Sequence, residues 1–381
     1  MTGIFKYLKG DRTLWIVIIL LSLISIPTIY SATGSLAYSY RGGNTSYYLL
    51  KQFIFISGGM LIVYIVHKLP FKFFYGLTKI AVPVSIILLI LTLIIGQSTN
   101  EAKRWLPLFG GFNLQTSDVA KVALIMFVSM ELSVNMSNKE LLEKAVKKII
   151  WTTLAIVGLI VLFNLSTAIL IFFTVTILML VAGVDFKSVF KMILIAVSAF
   201  ILYMLASQVI DLPGRADTWI SRIVAFSSDS GKDAYQATMA KVAIVDGGFF
   251  GNGLGKGTLK YIFPQAHSDF IYAFIIEEMG AFMGILILLL YAVFFYRGID
   301  IAKRSTRSFR MLLALGLTLI IVFQAFANMA VAVGVFPVTG QTLPLLSMGG
   351  TSVLITSFAI GLILNISRNI EERENKPKQA N

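Results

Sequence analysis

The chain has no cysteine and only two histidines, His67 and His267. The first absence excludes disulfides, thiolate metal sites and a cysteine nucleophile, and the second excludes a histidine-rich metal centre. Charge is also scarce. Asp, Glu, Lys and Arg make up 13% of the 381 residues, against roughly 25% in soluble domains. Acid is the scarcer sign, with 19 Asp plus Glu against 32 Lys plus Arg and a formal charge of +13. Apolar residues reach 57%, Phe alone numbers 29, and the mean hydropathy is +0.84. So little charge cannot cover a water-facing surface around so much apolar matter, which excludes soluble globular and disordered classes. Lipid is the solvent for most of this chain.

A bilayer core of about 30 Å needs about 20 apolar residues as helix. The apolar runs predict ten spans, at Leu14–Thr33, Gln52–Val66, Tyr75–Ile95, Asp118–Val134, Ile149–Phe163, Ser166–Val184, Val189–Ile210, Asp269–Tyr296, Met311–Phe336 and Leu345–Ile366. The second, fourth and fifth are short or carry polar residues. The runs are continuous rather than alternating, so the fold class is an all-α integral membrane protein and not a barrel. The first run exceeds a signal-peptide core and leads into further spans, so it is read as uncleaved.

An even number of spans places both termini on one side. Lys6, Lys9 and Arg12 fall there, as do Lys68, Lys72, Lys144, Lys147, Lys148, Lys187 and Lys191. Arg297, Lys303, Arg304, Arg307, Arg310, Arg368 and Arg373 join them. The positive-inside rule then makes both termini cytoplasmic. Anionic lipid headgroups account for the net charge, and no nucleic-acid partner is needed. Residues 367–381, rich in Glu, Lys and Asn, read as a flexible cytoplasmic tail that meets other division proteins. The remainder reads as a single polytopic domain.

One connection is unusual. Residues 211–268, between spans seven and eight, form an extracytoplasmic loop far longer than the ~12–15 residues beyond which loops are usually functional or disordered. It contains Trp219, Phe226, Tyr235, Phe249 and Phe250, and Ala234–Val245 has helical periodicity. Within it, residues 247–257 (GGFFGNGLGKG) resemble a phosphate loop but match neither G-x-x-x-x-G-K-[ST] nor G-x-G-x-x-G. Two readings stand: a flexible backbone that cradles pyrophosphate with Lys256, or turns that need positive φ.

Charges at membrane depth are costly and usually functional. They are Lys51, Lys79, Asp118, Lys121, Glu131, Asp269, Glu277 and Glu278. Asp118 and Lys121 share a helix face at i,i+3 and make either a self-satisfied ion pair or, with Arg104, a tuned cationic site. Asp269, at the start of span eight, is placed either to cap a helix or to act as a general base, and position alone favours the cap. Glu277 and Glu278 point about 100° apart, so one can line a cavity and the other needs a partner or a proton. Between residues 334 and 352, Pro337, Pro344 and several glycines break the helix. Broken backbone at membrane depth must be buried in protein or line a cavity.

These residues also carry a resemblance. Lys103-Arg104-Trp105 with Gln115 to Lys121 is similar to an R-W-(I/L)…Q-P-(S/A)-E-x-x-K block. Phe263 to Ile271 is similar to L-P-E-x-H-T-D-F-I-F-A, and Glu277 to Gly280 to the E-E-x-G that follows. Gly340 to Ser352 is similar to G-x-T-L-P-(F/L)-(I/V)-S-Y-G-G-(S/T)-S. The chain thus resembles, from span one to span ten, the SEDS family (shape, elongation, division and sporulation) of FtsW and RodA proteins. Thr342-Leu343-Pro344 is closer to the FtsW branch, since RodA sequences tend to carry Pro before Leu-Pro. There are departures. Asp118 stands for the usual Glu, Met348 for a Tyr, Thr339 for a frequent Lys, and Phe163 to Thr167 replaces P-D-x-G-T and removes an acid.

The resemblance implies a peptidoglycan glycosyltransferase that polymerises lipid II at the outer face of the bacterial cytoplasmic membrane. The substrate is an undecaprenyl-pyrophosphate disaccharide-peptide, and the implied partner is a class B penicillin-binding protein. Asp269 aligns with the family's essential Asp, which makes it the catalytic candidate. Arg104, Lys121, Asp118, Arg222, Lys256, His267, Gln341 and Ser347 are the substrate-binding candidates. No organic cofactor is implied; a divalent cation, Mg or Mn, would assist the leaving group. An elongation polymerase of the RodA type, a lipid II flippase and a non-catalytic scaffold are the alternatives.

Overall fold

The computed structural model describes residues 8–42, 44–99, 102–107, 113–135, 139–210, 214, 216–228, 231–262 and 268–374. The first helices are α1 (Arg12–Ala32), α2 (Gly34–Arg41), α3 (Thr45–Lys68) and α4 (Phe71–Ile95). A small antiparallel sheet follows, with β1 (Gln97–Thr99), β2 (Ala102–Pro107) and β3 (Asn113–Gln115) in the order β1-β2-β3. Next come α5 (Thr116–Asn135), α6 (Lys139–Val161), α7 (Leu165–Val181) and α8 (Phe186–Ser207). The long loop folds into α9 (Ala216–Ser228), α10 (Lys232–Gly247) and α11 (Leu259–Ile262). The chain ends in α12 (Ile271–Arg304), α13 (Ser308–Ala332) and α14 (Thr351–Glu374).

Each of the ten expected spans lies on a helix. Among the described residues, seven helices are long and apolar enough to cross a membrane: α1, α3, α4, α8, α12, α13 and α14. The apolar α7 is shorter, at 17 residues. The charges of α5 and α6 thin their apolar runs, yet Ala120–Met130 of α5 is buried within the protein. The chain is a multi-pass membrane protein. Span ten starts later than expected, because residues 333–350 are irregular and α14 begins only at Thr351. The tail also differs: α14 runs on to Glu374, held by Arg304 Nη2–Glu374 contacts of 2.7 and 2.9 Å and an Arg368–Glu372 pair at i,i+4. Residues 375–381 lie outside the described residues.

The sheet was not anticipated. β1 and β3, of three residues each, show no periodicity that a window can detect, and the six residues of β2 (AKRWLP) do not alternate. Trp105 pairs with Gln115 in register, so the two ends of the motif before α5 are neighbours.

The helices fall into two compact units. The first comprises residues 1–66, 219–297 and 321–364; the second comprises 67–218, 298–320 and 365–381. In the first, Asp11 caps α1 by accepting from Leu14 N at 2.9 Å, and Arg297 donates to the same carboxylate. In the second, the Asn365 side chain donates to the carbonyls of His67 and Leu69 at 3.1 and 2.7 Å, where α3 ends and its carbonyls lack helical partners.

The 34-residue α12 is not continuous. Gly280 has φ 81° and ψ 167°, which breaks the helix at a conformation only glycine adopts easily. The break frees the carbonyls of Glu277 and Glu278 and the N–H groups of Ala281 and Phe282. The glycine-rich turn takes them all. Asn252 N and Gly253 N donate to Glu277 O and Glu278 O at 3.0 and 2.9 Å, while Ala281 N and Phe282 N donate to Gly248 O and Phe249 O at 2.9 and 3.2 Å. Backbone lies so close to backbone that a Cβ on Gly280 would meet Phe249 O at 2.2 Å, and one on Gly251 would meet Glu278 O at 2.3 Å.

Gly280→Ala therefore strains the backbone and separates these two segments, at a cost of about 3 kcal/mol. Thermal unfolding in detergent should fall by several degrees. Gly76→Ala, with nothing within 4 Å of its added Cβ, should leave the midpoint unchanged or slightly raised. Equal melting of the two variants would refute the assignment.

Candidate active site

Asp269 lies two residues before α12 and is half-buried. It is not a helix cap: the helix begins at Ile271, and the one hydrogen bond to its carboxylate among the described residues comes from Ser268 Oγ, at 3.0 Å. The position-based preference for a cap is corrected by those two residues of offset. An ionised carboxylate has about four lone-pair sites, so most of its accepting capacity is uncommitted.

What is committed is the backbone on either side. Ser347 Oγ donates to Ser268 O at 2.8 Å and accepts from Leu343 N at 2.8 Å. The Asn328 side chain donates to Asp269 O at 2.9 Å and to Gln341 O at 2.6 Å. One helical turn earlier, Gln324 Nε2 donates to Thr342 O at 2.9 Å. Tyr291 Oη donates to Pro344 O, and Ser25 Oγ donates to Leu346 O at 3.0 Å and accepts from Gln52 Nε2 at 2.7 Å. Successive carbonyls of the broken segment thus receive side-chain donors from α1, α12 and α13. Leu345, between them, holds φ 64°, a strained value for a residue with a Cβ. Strain of this kind persists only where surroundings over-determine it.

Ser347 and Gln341 were foreseen, but as substrate ligands. The structure places Ser347, which is fully buried, as the brace between Ser268 and Leu343. It places Gln341, also buried, with its carbonyl on Asn328. Asn328, Gln324, Tyr291 and Ser25 were missed. Their signal was available: Gln324 and Asn328 are polar residues at i,i+4 inside the apolar run of span nine. His267 lies outside the described residues, as do the other residues of 263–267.

The glycine-rich segment does cradle an anion, but an internal one. Glu278 Oε1 accepts from Ser31 Oγ at 2.6 Å and from the N–H groups of Gly255 and Gly257 at 3.1 and 3.0 Å. Glu277 Oε1 accepts from Thr258 N and Thr258 Oγ1 at 2.6 and 2.7 Å, and Leu259 N reaches its Oε2 at 3.2 Å. Lys260, buried, sits 3.7 Å from Glu278 and donates to Gly255 O at 2.7 Å. Neither acid lines a cavity alone, since both are clamped. Of the two readings, a pyrophosphate cradle would compete with these carboxylates for the N–H groups of Gly255, Gly257 and Thr258. Lys256 is exposed on the same turn. Positive φ at Gly248, Gly251, Gly253 and Gly255 bears out the turn reading.

In the second unit, Lys121 Nζ lies 2.8 Å from Asp118 Oδ1, and both side chains are buried. Asp118 Oδ2 is buried without a partner. Arg104, on β2, donates from Nε to Phe163 O at 3.3 Å and stays half-buried. Arg222, on α9 in the first unit, lies 3.5 Å from Asp233 and lines a cavity of about 220 Å³ with Lys241 and Phe336. Among the described residues, no three Asp, Glu or His side chains converge as a metal-ligating set.

Comparison with known proteins places this arrangement. The model of the cell cycle protein family that groups FtsW, RodA and SpoVE matches residues 11–372. The chain belongs to this family. It is 33% identical to a probable peptidoglycan glycosyltransferase FtsW of Trichlorobacter lovleyi, over 96% of this chain and 95% of that one. It is 32% identical to the protein of the same description from Legionella pneumophila, over 92% and 90%. The fold matches a solved chain from a peptidoglycan synthase complex described as coordinating polymerization and crosslinking. That match has a TM-score of 0.71 and 23% identity, and covers 95% of this chain and 98% of that one. In this FtsW/RodA/SpoVE member, the backbone of Gln341–Leu346 and of Ser268–Asp269, within two of the family blocks, is tied by side-chain donors.

The carboxylate clamp has a direct consequence. Glu278→Ala removes the acceptor of three hydrogen bonds, and buried bonds to charged groups are worth about 1.5–3 kcal/mol each. Amide hydrogen exchange at 253–259 should accelerate at least about tenfold. Unchanged protection there would show that the carboxylate does not hold the turn.

Proposed function

We propose that this chain is a peptidoglycan glycosyltransferase of septal wall synthesis, which joins lipid II disaccharides into β-1,4 glycan strands with release of undecaprenyl pyrophosphate. The observation that carries the reading is Asp269: a half-exposed carboxylate with capacity to accept a proton, on backbone fixed by Ser347 and Asn328. The names borne by its relatives in the family supply the substrate class.

In the proposed reaction, Asp269 takes the proton of an acceptor sugar's 4-hydroxyl as that oxygen attacks the donor's anomeric carbon. The new C–O bond forms as the bond to the pyrophosphate oxygen breaks, and the electron pair leaves with the lipid pyrophosphate. One displacement inverts the centre, so an α-linked donor gives a β link. A second carboxylate nucleophile, as in retaining glycosidases, has no part in it. The energy resides in the donor's pyrophosphate.

The leaving group requires positive charge. Candidates in the second unit are Arg104 and Lys121, with Asp118 fixing the Lys121 ammonium. In the first unit they are Arg222 and Lys256. Among the described residues no three Asp, Glu or His side chains converge as a metal-ligating set, and no step is assigned to a metal. Asp269 is assigned to the extracytoplasmic face of the cytoplasmic membrane, where lipid II carries its sugars. A class B penicillin-binding protein crosslinks the product, and other division proteins meet the cytoplasmic side.

The test is polymerisation of lipid II by the purified chain with its penicillin-binding partner, read as glycan strands on a gel. Asp269→Asn should slow the reaction by at least about 10²-fold, the low end for loss of a general base. Strands made at the wild-type rate by this variant would overturn the proposal. Lipid II crossing vesicle membranes just as fast with Asp269→Asn would point instead to a flippase. Asn328→Ala should lower kcat about tenfold with little change in KM, because it positions the base and does not bind substrate. A rise in KM alone would refute that role.

A further inference from the structure

In the second unit, a cavity of about 230 Å³ opens at the turn between α12 and α13, beside the end of α14. Its lining includes Arg304, Thr306, Arg310, Asn369, Arg373 and Glu374. Three guanidinium groups thus face one carboxylate. That carboxylate is spent: Arg304 holds Glu374 at 2.7 and 2.9 Å, and Asp300 lies 3.5 Å from the same arginine. Arg373 donates to the Thr306 hydroxyl and has no acid partner among the described residues. Arg310 lies over the Phe71 ring at 4.7 Å, and its buried Nε has no acceptor.

A half-desolvated guanidinium without an anion, as at Arg310, is costly, and the exposed Arg373 brings a second fork to the same cavity. Planar guanidinium forks match phosphate oxygens bidentately. Of the lining residues only Ile370 is apolar, and an aromatic cluster packs against Arg310 through Phe71. Phe309 stacks edge-on against Phe71 and Tyr75, with centroids 5.4 and 5.8 Å apart. The cavity also lies where the apolar runs of α12 and α13 give way to charge, at the depth of lipid headgroups. A lipid phosphate reaches these guanidinium groups from the headgroup layer while its acyl chains stay in the bilayer.

We propose that this cavity binds the phosphate of an anionic phospholipid, with Arg310 and Arg373 as its guanidinium ligands. It is independent of the polymerase assignment. The test uses the full chain in detergent, incubated with phosphatidylglycerol or phosphatidylcholine, with retained lipid read by native mass spectrometry. Arg310→Gln and Arg373→Gln should each lower phosphatidylglycerol retention by about 5- to 10-fold, as expected for loss of roughly 1 kcal/mol or more per basic contact. Lys303→Gln removes the same charge from the last turn of α12 without touching the lining and should retain the lipid. Phosphatidylglycerol should also raise the melting point of wild type but not of Arg373→Gln. Because Arg373 is exposed, that variant keeps the test decisive if Arg310→Gln fails to fold. Equal loss in all three variants would reveal diffuse attraction and overturn the site. So would equal retention of phosphatidylcholine. Displacement by millimolar inorganic phosphate would identify free phosphate as the ligand and overturn the lipid assignment.

Discussion

Backbone that leaves the helix at membrane depth must find donors and acceptors inside the protein, because lipid supplies none. The segment from Gly340 to Ser347 depends on this rule. Its carbonyls at Gln341, Thr342, Pro344 and Leu346 receive donors from Asn328, Gln324, Tyr291 and Ser25. The same donors immobilise the approach to α12, since Asn328 also reaches Asp269 O and Ser347 reaches Ser268 O. The side chain of Asp269 is left half-exposed on a backbone that has little freedom to move. Preorganisation of a base in this way lowers the cost of reaching a reactive geometry.

A second region solves the same problem with opposite polarity. The break at Gly280 frees carbonyls and N–H groups of α12, and the turn at 248–253 pairs with both. Immediately beyond, the turn's surplus N–H groups meet the Glu277 and Glu278 carboxylates. Two buried acids therefore serve as internal anions for the N–H groups of Gly255, Gly257, Thr258 and Leu259. Their charge is compensated by many weak donors and by Lys260 at 3.7 Å, rather than by one close ion pair. The glycines and the paired acids are two halves of one structure.

Much of this was legible in the chain. The apolar runs located the helices, because a 3.6-residue repeat in lipid has one stable outcome. The glycines and prolines of 334–352 marked the broken segment, and the i,i+3 spacing of Asp118 and Lys121 marked their ion pair. Other features were hidden for identifiable reasons. The strands β1 and β3 are too short to show alternation, and β2 (AKRWLP) pairs polar with polar and apolar with apolar instead of alternating. Position alone favoured a cap at Asp269, because helix ends are uncertain by one or two residues; the resemblance pointed to a base instead, and two residues in fact separate Asp269 from the start of α12. The glycine-rich segment looked like a pyrophosphate cradle since its N–H groups do bind an anion. That the anion is Glu278, 21 residues away from Gly257, is a tertiary fact without a local signature.

The first helix has an awkward biography. Its Asp11 is matched by an arginine 286 residues downstream, and Ser25 by a carbonyl 321 residues downstream. At roughly 5–20 residues per second, a ribosome needs tens of seconds to make those partners. Throughout that interval α1 lacks these distant partners, although Asp11 can already cap it through Leu14 N. Insertion and assembly are thus separate events in time for this helix, which waits in the bilayer for residues made long after it.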